Sequence, residues 1–338
     1  MNNIEQLQKV LDGYTKLQIV PHNDPDPDAI AAAVTLSYLI NKAFHIESHI
    51  IYRGHIGRAE NKALVQYLGN PLRLVRASDW QLSSKIALVD TQPGAENNSL
   101  PPTRTVDIVI DHHALNSATG TAEFVDVRPD LGATSTILTE YLLEAGIHPS
   151  VQLATVLFFG IKTDTLGLSR HAHPADVEAY FYLQPLIDVN ALVQIEQAQV
   201  PITYYQSIDN AIHAGRIYDD DIVIAYLGNL TYPDLGAEIA DFFMRLKGIQ
   251  WVLCMGIFRD EMILSIRSRN KTIGAGKLVK EIIGELGTAG GHGMMAAGHI
   301  NLKPGDDPYH LAVELEKNLL LNLKGRHDLA YKQITGDQ

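Results

Sequence analysis

Cysteine is almost absent. Cys254 stands alone among 338 residues, so no disulfide forms within the chain, and its setting in WVLCMGIF (251–258) marks it as a small buried side chain. A reducing compartment is expected. Long apolar runs are lacking too: no uninterrupted stretch approaches the roughly 20 residues of a membrane helix. The opening MNNIEQLQKVLDGY carries acidic and polar residues where a secretory signal has a basic start and an apolar core. The expectation is a cytoplasmic protein with no membrane partner. Positive charge is scarce, with 27 Lys and Arg against 39 Asp and Glu and a formal net charge of -12. That balance disfavours a broad basic face for long duplex nucleic acid, which works by neutralising many phosphates. A small anionic substrate held by local metals and a few arginines stays open.

What is present is enough apolar material, 46% of residues, for a core in each of two domains. Short apolar runs LQIV (17–20), HIIY (49–52), IALV (86–89) and VDIVI (106–110) alternate with helical patterns near 28–42 and 58–69. This is the pattern of a parallel sheet covered on both faces. After FVDV (124–127), residues 133–216 read as mostly helical, with breaks near Pro149, Gly167, Pro174 and Pro201. DIVIAYL (221–227), WVLCMGIF and MILSIRSR (262–269) then read as strands, the last two joined as a hairpin by a tight turn. The fold class expected is α/β: an N-terminal parallel-sheet domain over 1–190, a helical connector over 191–216 and a smaller mixed-sheet α/β domain over 217–338.

Ligands of open parallel sheets bind outside the carboxyl ends of the strands. Three polar clusters fall at such ends: HNDPDPDA (22–29) after the first strand, Asp90 after IALV, and Asp111, His112 and His113 after VDIVI. Each has an ordinary reading, Asp26 as a helix N-cap before Pro27, Asp90 as a turn former, DHH as a polar loop. Their coincidence at one edge is the stronger signal. Carboxylates and imidazoles without cysteine suit manganese, magnesium or zinc, manganese best, and argue against structural zinc. Asp26 and Asp28, on either side of Pro27, are expected to serve two ions rather than chelate one, with Asp90 as the bridge of a two-metal site. Asp164 in FFGIKTDT (158–165) ends an apolar helix and is not selected by periodicity.

In the C-terminal part, strand alternation places Arg267 and Arg269 on one face, suited to clamping phosphate or to a plain exposed sheet face. GTAGGHGMMAAG (287–298) gathers five glycines around His292. Residues so small permit close backbone approach, and a ligand-binding loop is expected.

Taken in order, HNDPDPDA, Asp90, DHH (111–113) and GIKTDT (160–165) resemble the four motifs of the DHH phosphoesterase superfamily, and SIRS (265–268) with AGGHGMMAAG (289–298) resembles the DHH-associated C-terminal domain. The resemblance implies an active site in the cleft between two domains, with two divalent ions, usually manganese, magnesium or cobalt being the alternatives. His22, Asp26 and Asp90 would hold one ion; Asp28, Asp90, His112 and Asp164 the other. Asp111 would orient His112, and His113 would face the substrate phosphate. Arg267, Ser268, Arg269, Gly290, Gly291 and His292 would receive the terminal phosphate or the rest of the substrate. Two departures stand out: Ala289 replaces the first glycine of the GGGH hallmark, and LGLSRHAHPADVEAY (166–180) matches no particular subfamily.

At this length, the resemblance points to short-oligonucleotide exonucleases, the nanoRNases, which often also remove the 3′-phosphate of adenosine 3′,5′-bisphosphate. The substrate expected is a short oligonucleotide or dinucleotide. Phosphatases for small non-nucleotide phosphates or polyphosphate, and a non-catalytic nucleotide-binding protein, are the alternatives. A homodimer is compatible with the sequence, which marks no interface.

Overall fold

The computed structural model describes residues 2–80, 84–95, 97–270 and 273–336, and of His292 the backbone alone. The chain divides into two units, Met1–Gln199 and Val200–Gln338. The helices read as a connector are shared between them, one ending the first unit and the other opening the second.

The first unit runs α1 (Asn3–Leu11), β1 (Lys16–Pro21), α2 (Pro27–Phe44), β2 (Glu47–Tyr52), α3 (Ala59–Tyr67), β3 (Leu72–Leu74), β4 (Lys85–Val89), β5 (Ile108–Asp111), β6 (Phe124–Val127), α4 (Thr134–Glu144), α5 (Val151–Asp164), α6 (Pro174–Leu183) and α7 (Val189–Glu196). Its strands pair in parallel in the order β3-β2-β1-β4-β5-β6. Strand order reverses between β1 and β4, so their carboxyl ends flank the crevice where open α/β sheets bind ligands. The mixed apolar runs succeed as strands because both faces are buried.

Both faces are covered, as expected, but by different elements. Leu17, Ile19, Ala87, Val89, Ile108 and Ile110 join one core with residues of all seven helices. The opposite face, Val20, Ile51, Ile86, Leu88 and Val109, forms a smaller core closed by Val75, Trp80 and Leu100 from connecting segments. Asp26 caps α2 and Pro27 opens it, and the run Ala31, Ala32 and Ala33 is fully buried, letting neighbouring helices approach closely.

The second unit runs α8 (Ile202–Ala214), β7 (Arg216–Tyr218), β8 (Ile222–Asn229), α9 (Leu235–Phe243), β9 (Trp251–Phe258), β10 (Glu261–Ser268), α10 (Ala275–Ile283), β11 (Thr288–His292), β12 (Met295–Asn301), α11 (Pro308–Lys324) and β13 (Tyr331–Gln333). Its sheet has the order β11-β12-β10-β9-β8-β7-β13, with β8 and β9 parallel and the other pairs antiparallel. Period-two alternation divides its apolar residues between two cores. Ile222, Ile224, Leu253 and Met255 pack with α10 and α11, while Val223, Ala225, Val252 and Cys254 pack with α9. Cys254 is fully buried, and that burial pushes its thiol well above the usual range.

The glycine-rich stretch is not a loop. It folds as a hairpin of β11 and β12 at the sheet edge, beside α10. Gly291 explains the choice of residue: its φ is +149°, and a Cβ there would lie 2.4 Å from the Ala296 Cα. Among the described residues, no helix is long and apolar enough to cross a membrane.

Candidate metal centre

The cluster forms at the carboxyl ends of β1, β4 and β5. His22 directly follows β1. Its Nδ1 donates to the Asn23 carbonyl at 2.7 Å, which turns Nε2 toward carboxylates, 3.6 Å from Asp26 Oδ1 and 3.5 Å from Asp90 Oδ2. Asp26 fulfils both of its readings at once: as the N-cap it accepts from the Ala29 N–H at 3.0 Å, and the same carboxylate faces His22. Asp28 sits in the first turn of α2. Two residues along a helix is a rotation of about 200°, so the helix start sends Asp28 away from Asp26.

Asp90 occupies the left-handed region at φ 59°, and its N–H bonds to the Ile110 carbonyl at 2.9 Å, tying the turn to β5. Its two oxygens face opposite groups. Oδ2 looks to His22, and Oδ1 lies 3.5 Å from His112 Nε2. The His112 ring is oriented by the Leu131 carbonyl, to which Nδ1 donates at 3.2 Å, and Nε2 also lies 3.4 Å from Asp164 Oδ2 at the end of α5. Three overlapping sets result, His22 with Asp26 and Asp90, Asp28 with His112 and Asp164, and Asp90 with His112 and His113; within each, ligand atoms lie within 4.8 Å of one another, and the first two, which have no residue in common, match the expected pair of ions.

The residues fit divalent ions on two grounds. First, His112 Nε2 is buried and makes no well-formed hydrogen bond, only long contacts of 3.5 and 3.4 Å to the Asp90 and Asp164 carboxylates, an arrangement that a cation between them would satisfy. Second, the charges are crowded in a way that protons must relieve when no cation is present. Burial, with the charges of Asp90 and Asp164, pushes Asp28 well above the carboxylate range. Burial and the Asp26 charge raise Asp164 to about 6. Burial alone would lower His22, but its hydrogen bond to Asp26 and the charges of Asp26 and Asp90 outweigh this and push it up to about 10. His112 rises in the same way, through Asp164, Asp90 and Asp28 against its burial. Burial opposes the ionisation of Asp26, yet the His22 hydrogen bond and charge hold it below the usual range. A set that gathers protons onto imidazoles and carboxylates is one that a divalent cation can discharge.

Asp111 plays a different part from the one expected. Its Oδ1 accepts from His113 Nδ1 at 2.8 Å and from the backbone N–H groups of His112 and His113, so it orients the His113 ring, while the His112 ring is held by Leu131. The reason is geometric: Asp111 ends β5, and the chain turns its carboxylate under the following loop. The His113 side chain is 42% exposed against 10% for His112, which separates a solvent-facing ring from an inward one. Burial would lower the His113 pKa, but the Asp111 hydrogen bond and Asp90 charge raise it.

Several supporting residues carried no sequence signal. Gln92 is buried and donates to Asp111 Oδ2 at 2.7 Å while its Oε1 accepts from Asn116 N–H and Thr119 Oγ1, which locks the base of the DHH loop. Thr134 and Ser135, at the start of α4, donate backbone N–H groups to the two oxygens of Asp28 at 2.7 and 2.8 Å, and the Thr134 hydroxyl donates to Asp90 Oδ1 at 2.8 Å. Asp28 thereby caps α4 from outside the helix, where the helix end favours negative charge. In sequence, GATST reads only as an ordinary helix start.

In the second unit, the two arginines share a face as expected, yet both are engaged within the unit. Arg267 Nε donates to Asp241 Oδ1 at 2.5 Å, and Arg269 donates to the Met244 carbonyl at 2.6 Å. Strand periodicity could not reveal that α9 supplies a carboxylate. Ser268 is buried and its hydroxyl accepts from the Asn270 N–H. Gly290 and Gly291 lie in β11, and the His292 side chain lies outside the described residues.

Comparison with known proteins fits this geometry. Residues 16–161 match the DHH family, N-terminal domain. An uncharacterized protein of Methanocaldococcus jannaschii is 37% identical over 286 residues, 85% of this chain and 58% of that protein. A "probable manganese-dependent inorganic pyrophosphatase" of Streptococcus pyogenes is 29% identical over 180 residues, 52% of this chain and 57% of that protein. The chain thus spans less than two thirds of the length of these relatives. The crystal structure of an exopolyphosphatase-related protein from Bacteroides fragilis shares the fold, with a TM-score of 0.73 and 15% identity over 94% of this chain and 95% of that one. Motifs and relatives agree in this: residues 16–161 are similar to the DHH family, N-terminal domain.

Proposed function

We propose that this protein is a metal-dependent phosphoesterase that holds two divalent ions, manganese preferred, and hydrolyses a short oligonucleotide or dinucleotide to mononucleotides. The observation that carries the proposal is the placement of Asp90, whose two oxygens each lie 3.5 Å from a different histidine, one in each ligand set. His22, Asp26 and Asp90 would hold one ion, and Asp28, Asp90, His112 and Asp164 the other. Bound there, the ions would polarise a phosphoryl oxygen and lower the pKa of water at neutral pH.

The remaining chemistry belongs to the chain. Asp111 fixes the His113 ring and stabilises its protonated form. The exposed ring is then able to donate to a phosphoryl oxygen as negative charge develops on it. Asp28 and Asp90 keep their orientation through Thr134 and Ser135, so the ligand set is preorganised. Removal of the 3′-phosphate from adenosine 3′,5′-bisphosphate would use the same groups.

A second reading is hydrolysis of pyrophosphate or another small phosphate. It is favoured by the pyrophosphatase name of the streptococcal relative and by the internal pairing of Arg267, which leaves the clamp for a larger substrate partly committed. The test is a comparison of metal-stripped protein, with and without added manganese, on a 5′-phosphorylated RNA dinucleotide, adenosine 3′,5′-bisphosphate and pyrophosphate, with products separated by chromatography. Manganese-dependent release of mononucleotides supports the first reading. Turnover of pyrophosphate alone replaces it with the second, and no turnover of any substrate by folded, metal-loaded protein refutes both.

A further inference from the structure

We propose that Asp176 is a positioning residue for one half of the metal centre, the half formed by Asp28, His112 and Asp164; this rests on the two-ion reading above. Asp176 lies in the stretch 166–180 that matches no particular subfamily, where the structure forms a capping box at the start of α6. Asp176 completes that box, accepting from the His173 N–H at 2.8 Å. Capping does not account for the rest of its contacts.

The carboxylate is completely buried, and among the described residues no cation pairs with it. A buried carboxylate without a counter-charge is costly unless its oxygens are well bonded. Here Oδ2 also accepts from the Gly132 N–H at 2.7 Å, and Oδ1 accepts from the Thr136 hydroxyl at 2.5 Å. Asp176 therefore grips both ends of the segment 132–136. The fit is close: a Cβ on Gly132 would lie 2.5 Å from Thr165 Cγ2 and 3.0 Å from Asp176 Oδ2.

The gripped segment and its neighbour Leu131 make four contacts to the cluster. Leu131 O orients His112, Thr134 N and Ser135 N hold the two oxygens of Asp28, and Thr134 Oγ1 holds Asp90 Oδ1, the oxygen that faces His112. The other half shares only Asp90 with this segment, and there the held oxygen is Oδ1 while Oδ2 faces His22; His22 is held by the Asn23 carbonyl and Asp26 by the Ala29 N–H. Loosening the segment should thus affect one ion and spare the other. A carboxylate that only stabilised α6 would show no such asymmetry.

The test uses the full chain stripped of metal and titrated with manganese by calorimetry, with electron paramagnetic resonance reporting whether two Mn²⁺ ions are spin-coupled. Wild type is expected to take two ions and give the coupled signal. Asp176→Ala should leave the first ion within about twofold and weaken the second by roughly 10- to 100-fold, the usual cost of losing a partner of a metal ligand. At matched loading its signal becomes that of isolated Mn²⁺. Asp176→Asn keeps an acceptor for Gly132 and His173 and should recover the coupled signal. Thr136→Val removes only the Oδ1 contact and should weaken the second ion in the same direction, so it decides the matter if the alanine variant fails to fold. Equal weakening of both ions, or unchanged binding of the second ion in either variant, would overturn the role of Asp176. A folded wild type that takes fewer than two ions would overturn the two-ion reading and this role with it.

Discussion

Replacing Asp90 with alanine should separate folding from function more sharply than any other single change. In the metal-free protein the carboxylate accepts one hydrogen bond, from Thr134 Oγ1 at 2.8 Å, worth about 1 kcal/mol net. Its attraction for His22 and His112 is opposed by its repulsion of Asp28 and Asp164, which burial and neighbouring charges already push toward the protonated form. The folding cost should therefore stay near 1 kcal/mol, about 2 to 4 °C in the melting temperature of a unit this size. The metal-loaded protein is affected far more, because both ions lose the same ligand. A loss of roughly 4 kcal/mol of the charge stabilisation that bound ions supply corresponds to about a thousandfold in rate. Hydrolysis at saturating manganese, with thermal unfolding of the stripped protein alongside, measures both quantities. Activity within tenfold of wild type, or a collapse of the fold without metal, would refute the reasoning.

Four further predictions concern the charges of the centre, the hairpin and a buried lysine. Metal binding at pH 7 should release protons, because His22, raised to about 10, and His112 hold protons that the ions displace; affinity should tighten as pH rises, and calorimetry in buffers of different ionisation enthalpy reads the release, its absence contradicting the charge argument. Without metal, the stabilisation from His22 is complete below its unfolded value of 6.5 and is lost as pH rises through about 10, so the stripped protein should melt lower at pH 10 than at pH 6, and manganese should narrow the difference. Gly291→Ala should destabilise the second unit by about 1 to 3 kcal/mol through its positive φ and the clash with Ala296, whereas Gly290→Ala, with no atom within 4 Å of the new Cβ, should be nearly neutral in urea denaturation. Lys85→Met should cost about 1 to 3 kcal/mol by leaving the largely buried Asp107 without its cation, the exposed Glu123 contributing little, with manganese binding unchanged.

All the metal-ligand candidates but Asp164 were legible because they follow a buried strand, and a parallel sheet carries its strand ends to one edge. His22, Asp90 and His112 needed no more than that rule. Asp164 was legible only through the family motif, since an aspartate closing an apolar helix has no distinctive spacing. Thr134 and Asp176 escaped because their partners are remote: Thr134 bonds to Asp28 across 106 residues, and Asp176 to Gly132 across 44. Asp176 also satisfies a local capping pattern, which conceals its long-range contact. The same limit applies to Arg267, whose strand face is readable while the carboxylate of Asp241 on a neighbouring helix is not. Glycines at 287–298 signalled close approach, which the structure shows as packing of β11 against β12 and α10.

The most direct measurement is anomalous diffraction at the manganese edge from crystals grown with manganese. Two peaks roughly 3.5 to 4 Å apart, flanking Asp90, one beside His22 and Asp26 and the other beside Asp28, His112 and Asp164, are the predicted result. A single peak, or manganese bound only away from Asp90, would contradict the shared-ligand centre on which the proposed chemistry depends.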